Sequence, residues 1–301
     1  MAQHIRSVIL IGAGGNVGTA ILSALEDDPL LTVTVLSREN SQSAFASHIK
    51  VIDIHPDYPL QELVQAFKGQ DAVISAITSS GTGVQKLMIT AAVEAGVKRF
   101  IPAEFGGSPT HPRARDLLPM FGAQEDIIDL LRSQQSTGMS WSALAPGPFF
   151  DWGLRNGLLA FDLAVQKAVI YDSGASCWSA TTLSTTGRAV VGILKNPEKT
   201  ANRHVVIQSF STTQMDVVSE LERYTGKKWD LQQVRSEDVI KQAQEQISKG
   251  DYSAVVKLIQ ATIYGSEDRG SDFATHLNLD NDMLGLPKES LGEVVSSVLT
   301  S

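Results

Sequence analysis

Three observations predict an α/β protein built on a doubly wound parallel sheet, with a smaller α+β lobe toward the C-terminus. Strand-like apolar runs alternate with helix-length amphipathic segments through roughly the first half of the chain. A four-residue aliphatic run, Val8-Ile9-Leu10-Ile11, passes directly into glycines at 12, 15 and 18. Beyond about Pro146 the alternation fades. Strands separated by helices must be joined by right-handed crossovers, which place helices on both faces of a parallel sheet.

The elements follow in order. Residues 8–11 form a buried first strand, and 17–25 a short amphipathic helix stopped at Asp27-Asp28-Pro29. Residues 32–36 alternate β-branched and aliphatic side chains as a second strand, with a third at 51–54. A helix at 60–67 ends before Gly69, and a fourth strand at 72–77 runs into the small-residue loop 78–83. A helix at 85–94 ends at Gly96, a fifth strand covers 99–102, a helix at 124–134 ends by Gly138, and a sixth strand covers 139–145. The second half holds strand signals at 168–172 and 204–208 and helical periodicity at 186–194, 213–224 and 237–263. A polar, glycine-rich stretch at 265–282 reads as irregular before a last helix from Lys288. The division predicted is a sheet domain at 1–150 and a second lobe at 151–301, with no Pro-, Gly- or Ser-rich linker to let them move independently.

The glycine turn carries the first chemistry. A strand that turns into a helix through Gly12, Gly14, Gly15, Asn16, Val17 and Gly18 points main-chain N–H groups and the positive end of a helix dipole at one spot. A pyrophosphate fits there, because glycines let ligand and backbone approach closely; this is the dinucleotide-binding Rossmann arrangement. The second strand ends Leu36-Ser37-Arg38, where an NAD-binding chain would present an acid to the ribose hydroxyls. A guanidinium at Arg38 with a hydroxyl at Ser37 suits a 2′-phosphate, so the pattern favours NADP(H). Glu39 argues the other way, since an acid one residue later reaches toward a ribose.

Composition narrows the classes. The chain has 301 residues, 43% hydrophobic and 19% charged, with a formal net charge of −8. That charge argues against broad nucleic-acid or anionic-membrane binding, both of which need a basic face. No apolar run approaches a membrane span, no signal peptide precedes the first strand, and a lone Cys177 excludes an internal disulfide. A reducing cytoplasm is the expected compartment, with a small-molecule partner and a monomer or homodimer. Six histidines at 4, 48, 55, 111, 204 and 276 show no metal-ligand spacing, so no metal is expected.

A longer resemblance then emerges. Val97-Lys98-Arg99-Phe100-Ile101-Pro102-Ala103-Glu104-Phe105-Gly106 resembles a signature block of the isoflavone reductase-like, NmrA-like family of atypical short-chain dehydrogenases. Gly12, Gly15 and Gly18 match the family's opening glycines, and Ser37-Arg38 its NADP-selecting position. The segments Gly147-Pro148-Phe149-Phe150-Asp151-Trp152-Gly153, Ser179-Ala180-Thr181-Thr182-Leu183 and Leu284-Gly285-Leu286-Pro287 are similar to its fungal branch. The resemblance implies that Ala76, Ile77, Pro148 and Phe149 join the cofactor site, and that Phe105, Phe150 and Trp152 face a substrate. It also implies a departure. Reductases of this family carry a lysine that contacts the nicotinamide ribose and assists proton transfer, and here Gln124 takes that place, with no lysine between Lys98 and Lys167. Glutamine can hydrogen-bond a ribose but has no titratable proton.

Other candidates carry less. Tyr224 and Lys228 make a formal Tyr-x-x-x-Lys, but Gly226 breaks the turn between them and the pair reads as chance. His111, Glu104, Asp151 and Tyr171 are cleft candidates with ordinary structural alternatives as loop, cap or core residues. Cys177 has no nearby His or Lys in sequence to activate it. Two function classes follow: an NADPH-dependent oxidoreductase of a small aromatic, polyketide- or alkaloid-like metabolite, or an NADP(H)-binding protein without net redox turnover. The second would be a dinucleotide-sensing regulator, or an isomerase or cyclase that uses the cofactor pocket.

Overall fold

The computed structural model describes residues 4–78, 81–107, 111–118 and 120–300. Its first half alternates as expected: β1 (Ser7–Ile11), α1 (Asn16–Glu26), β2 (Thr32–Arg38), β3 (Lys50–Ile54), α2 (Leu60–Phe67), β4 (Ala72–Ser75), α3 (Thr82–Glu94), β5 (Arg99–Ile101), α4 (Pro112–Leu117), α5 (Met120–Ser133) and β6 (Ser140–Ala145). The second half adds α6 (Phe150–Arg155), β7 (Phe161–Asp162), β8 (Lys167–Tyr171), β9 (Trp178–Ala180), α7 (Leu183–Lys195), β10 (Arg203–Val206), β11 (Phe210–Thr212), α8 (Gln214–Thr225) and β12 (Asp230–Val234). It closes with α9 (Ser236–Ser248), α10 (Val255–Tyr264), α11 (Phe273–His276), α12 (Asn281–Leu284) and α13 (Leu291–Thr300).

Seven parallel strands form the main sheet in the order β10-β6-β5-β4-β1-β2-β3. Both faces are covered. Leu63, Phe67, Met88, Ile89, Ile127 and Leu131 of α2, α3 and α5 pack on one side, and Ile21, Leu25, Val190 and Ile193 of α1 and α7 on the other. That two-sided burial explains why the strands read as continuous aliphatic runs. The second lobe has its own core around Phe150, Tyr171, Trp178, Leu221 and Tyr264. It contains a three-stranded β12-β8-β7 sheet and an antiparallel β11-β9 pair. Two elements from beyond residue 150, α7 and β10, belong to the main sheet domain. Buried Arg99 fastens that return: its guanidinium donates to Ser140 and Thr200 hydroxyls at 2.9 Å each and to the Pro197 carbonyl. With no acid beside it, burial pulls its pKa down to about 10.

The second half departs from the sequence pattern in ways with local causes. The helix expected over 237–263 is two helices, α9 and α10, because Gly250 sits at φ +90° and the Asp251 carboxylate caps Ser253 N–H at 3.1 Å. The last helix starts at Leu291 rather than Lys288, where Ser290 and Glu293 exchange capping hydrogen bonds of 3.3 Å each. The stretch 265–282 contains the short turns α11 and α12. Strands β7, β9, β11 and β12 were not expected; β12 reads Asp-Leu-Gln-Gln-Val, with no apolar run to reveal it. Helices α4 and α6 were also missed, and α5 begins four residues before Gln124. No helix of the described residues is long and apolar enough to cross a membrane.

Candidate functional site

The carboxyl ends of β1, β2 and β4 open into a groove of about 490 Å³ at the point where strand order reverses. Its floor is main chain. Gly12 holds φ +81°, and a Cβ there would meet the Ala76 carbonyl oxygen at 2.5 Å. A Cβ on Gly18 would overlap the Gly12 carbonyl and lie 2.8 Å from Ala13 Cα, so only glycine lets α1 start this close to β1. Gly15 N–H donates to Gly12 O at 3.0 Å and closes the turn. Gly15 is also the α1 N-cap, and no side chain satisfies that helix end. Exposed Gly14, Gly15 and Asn16 therefore leave an anion-binding helix terminus facing the groove.

The walls are side chains. Ser37 and Arg38 project from the end of β2, and Ala76, Ile77 and Thr78 follow β4. The Arg38 guanidinium is exposed and forms no ion pair among the described residues. Glu39 is not part of the lining; its N–H donates to Ile54 O at 3.0 Å and ties it to β3. Sequence reasoning missed Ser41, Ser43, Phe45 and Tyr58, which also line the groove. Tyr58 holds φ +52° in a turn after β3, an uncommon conformation for a side chain of that size, and its ring packs partly against the sheet core. Burial pushes its hydroxyl pKa up, while the nearby Arg38 guanidinium pulls the other way. A β-strand pattern cannot announce such residues, because they come from loops.

The remaining predicted residues lie elsewhere along the same sheet edge. Pro148 and Phe149 follow β6, half-buried, and are fixed by Thr181 N–H on Pro148 O at 3.1 Å and by Gly147 N–H on Gly106 O at 3.0 Å. Phe105 packs partly on the sheet core, and Trp152 is half-buried on α6. Phe150 is fully buried, with its ring 5.1 Å from Phe210 and 6.0 Å from Trp178; it builds lobe core and has no face open to a ligand. Gln124 is half-buried in α5, and its side chain makes no hydrogen bond among the described residues. Val17 sits in the first turn of α1, beside the floor.

Several lesser candidates resolve into structure. The Asp151 carboxylate accepts from Leu183 N–H at 3.1 Å as a brace for α7. Tyr171 is buried, donates to Gln260 Oε1 at 2.8 Å, and has its phenol pushed up to about 12 by desolvation. Tyr224 lies under the Arg223 guanidinium at 4.0 Å, while Lys228 pairs with Glu222 at 2.6 Å, so the two have separate partners. Burial and Asp272 raise the Cys177 thiol pKa, the opposite of activation. His111 occupies the N-cap position of α4 without a side-chain capping bond, and its Nε2 lies 3.9 Å from the Asp268 carboxylate. Glu104 is different: it is buried at the end of β5, neither carboxylate oxygen has a hydrogen-bond partner, and desolvation pushes its pKa up to about 8. No group of three or more metal-ligating side chains occurs among the described residues.

Comparison with known proteins agrees with this geometry. The sequence model described as NAD(P)H-binding matches residues 12–166. The oxidoreductase aprR of Aspergillus flavus is 41% identical over 97% of this chain and 98% of its own. The oxidoreductase poxI of Penicillium oxalicum is 34% identical over 95% and 92%. Among solved structures, an isoflavone reductase superposes with a TM-score of 0.78, covering 97% of this chain and 99% of that one at 21% identity.

Proposed function

The chain belongs to the NAD(P)H-binding oxidoreductase family of isoflavone reductase-like and NmrA-like proteins, and from that premise we propose that it is an NADPH-dependent reductase of a small aromatic, polyketide- or alkaloid-like metabolite. One observation carries the cofactor choice. The end of β2 presents a guanidinium with no ion pair among the described residues and a hydroxyl in the groove, while the neighbouring acid, Glu39, is not among the residues that line it. A 2′-phosphate finds a bidentate partner there, whereas a ribose diol finds no carboxylate.

The glycine loop fits the cofactor, since a side chain at 12 or 18 would collide with main chain and break the tight strand–helix turn that forms the cradle. The exposed main chain at Gly14 and Asn16 would hold the pyrophosphate, with Gly15 N–H closing the turn beneath it; Ala76 and Ile77 would wall the cofactor groove, and Pro148 with Phe149 would lie toward the nicotinamide. Once bound, the cofactor supplies a hydride to a carbonyl, imine or activated double bond. Phe105 and Trp152 orient a flat substrate beside it and exclude water. Phe150 acts one step back, as the core anchor that fixes Phe149. Gln124 positions the ribose by hydrogen bonding and supplies no proton, so the preferred substrate is one that needs little acid assistance.

Gln124 also motivates a second reading, in which the cofactor binds without net turnover. Both fungal relatives are named oxidoreductases, which favours the enzyme. Absorbance of NADPH at a panel of carbonyl, imine and enone acceptors tests the choice. Consumption supports the reductase. Firm NADPH binding with no consumption across the panel, and none after Gln124→Lys, supports the second reading.

A further inference from the structure

We propose that Ser43 is a cofactor-selectivity residue, its hydroxyl supplying the 2′-phosphate of NADPH with a donor that the glycine loop itself cannot carry. The inference rests on the NADPH reading and adds a residue to it.

Two turns bring the segment after β2 back toward the glycine loop: Ser41 N–H donates to Arg38 O at 2.8 Å, and Ser43 N–H to Ser41 Oγ at 3.2 Å. Phe45 then anchors the segment by packing partly on the sheet core. The result is a close fit with Gly14. A Cβ on Gly14 would overlap the Ser43 hydroxyl and come within 2.7 Å of Ser43 Cβ. The Ser43 side chain thus occupies the space that a side chain at position 14 would take, and it depends on glycine being there.

What surrounds the hydroxyl indicates its ligand. Ser43 Oγ makes no hydrogen bond to the described residues, although its own N–H does. It shares the groove with Ser37 and Arg38, and Arg38 is the sole formal charge among the lining residues, with no carboxylate beside it. A phosphate dianion offers more acceptor sites than one guanidinium fills, so a hydroxyl lining the same groove adds to the coordination. A bare ribose hydroxyl projects far less from the sugar and gains little from a donor across the groove. The selectivity device is therefore split between two loops, Gly14 leaving the space and Ser43 using it.

Calorimetric titration of the full chain with NADPH, NADH, 2′,5′-ADP and 5′-ADP tests this without requiring turnover. Ser43→Ala should weaken NADPH and 2′,5′-ADP about tenfold, the usual loss for a hydrogen bond to a charged group, with NADH and 5′-ADP within about twofold. Ser43→Thr should retain most of the preference. Gly14→Ala should displace Ser43 and lower the ratio of NADPH to NADH affinity, whatever it does to the pyrophosphate that both share, and Ser43→Ala added to Gly14→Ala should change that ratio no further. Equal weakening of all four ligands by Ser43→Ala, or no weakening, overturns the proposal. If the wild-type chain prefers NADPH and Arg38→Ala removes that preference, such a result leaves the NADPH reading standing. A wild-type chain that binds NADH as tightly as NADPH removes both.

Discussion

The two ends of the sheet edge are built on different principles. At β1, β2 and β4 the site is a property of the main chain: a left-handed Gly12, a close Gly18 and an uncapped helix start. At β5 and β6 the proposed site would rest on side chains drawn from distant segments, Gln124 on α5 and Phe149 beside the Thr181 loop. The first kind of site would tolerate wide change in surrounding side chains, because on the proposed reading amides and a helix dipole would do the binding. The second kind can be re-specified one side chain at a time. A family can thus keep its cofactor while its substrates diverge.

The contrast is broken most forcefully at Gly12. Gly12→Val places a branched side chain at φ +81° against a carbonyl 2.5 Å from its first carbon, and should cost about 3 kcal/mol or more of stability together with cofactor binding. Chemical unfolding and calorimetry would report both losses, and a stable, NADPH-competent variant would show the floor to be adaptable after all.

At the other end, Glu104→Gln should do the reverse and stabilise. The folded state holds this carboxyl protonated up to about pH 8, against an ordinary value near 4.5. A folded pKa raised above the unfolded one means the protein is most stable below the unfolded value and loses stability as pH climbs through that window. Glutamine removes the ionisation, so its advantage should grow from near zero at pH 4.5 to about 2 kcal/mol at pH 8, an order-of-magnitude figure for a buried group. Urea midpoints at the two pH values measure it, and a pH-independent difference would mean Glu104 ionises freely. Arg38→Ala is comparable in size but confined to one ligand, with about 2 kcal/mol lost for NADPH and almost none for NADH. Smallest of all, Lys228→Ala should shift stability by less than about 0.5 kcal/mol and leave NADPH affinity unchanged, since its ion pair is exposed.

The same contrast explains what the amino-acid sequence disclosed. The strand–glycine–helix passage from Val8 to Gly18 was legible because strand, turn and helix are contiguous and each has a local signature. Ser37 and Arg38 were legible as the end of a patterned strand. Ser43 and Tyr58 were not, since a loop that folds back and a tyrosine at positive φ leave no periodicity. Phe150 was misjudged for a related reason: adjacent phenylalanines at a helix start point in different directions, and only the packing on Trp178 and Phe210 shows which one is core. The second lobe resisted most, because β9, β11 and β12 are three to five residues long and pair across large separations.

Strand β10 carries a consequence for biogenesis. It covers the flank of β6 with residues 203–206, and the Arg99 guanidinium reaches ahead to the 197–200 turn that precedes it. A nascent chain therefore exposes the unpaired margin of β6, a strand buried along its whole length in the finished fold, until roughly two-thirds of the polypeptide has been translated, a condition that invites chaperone engagement. An excised 1–150 fragment would remain in that vulnerable condition permanently and should self-associate.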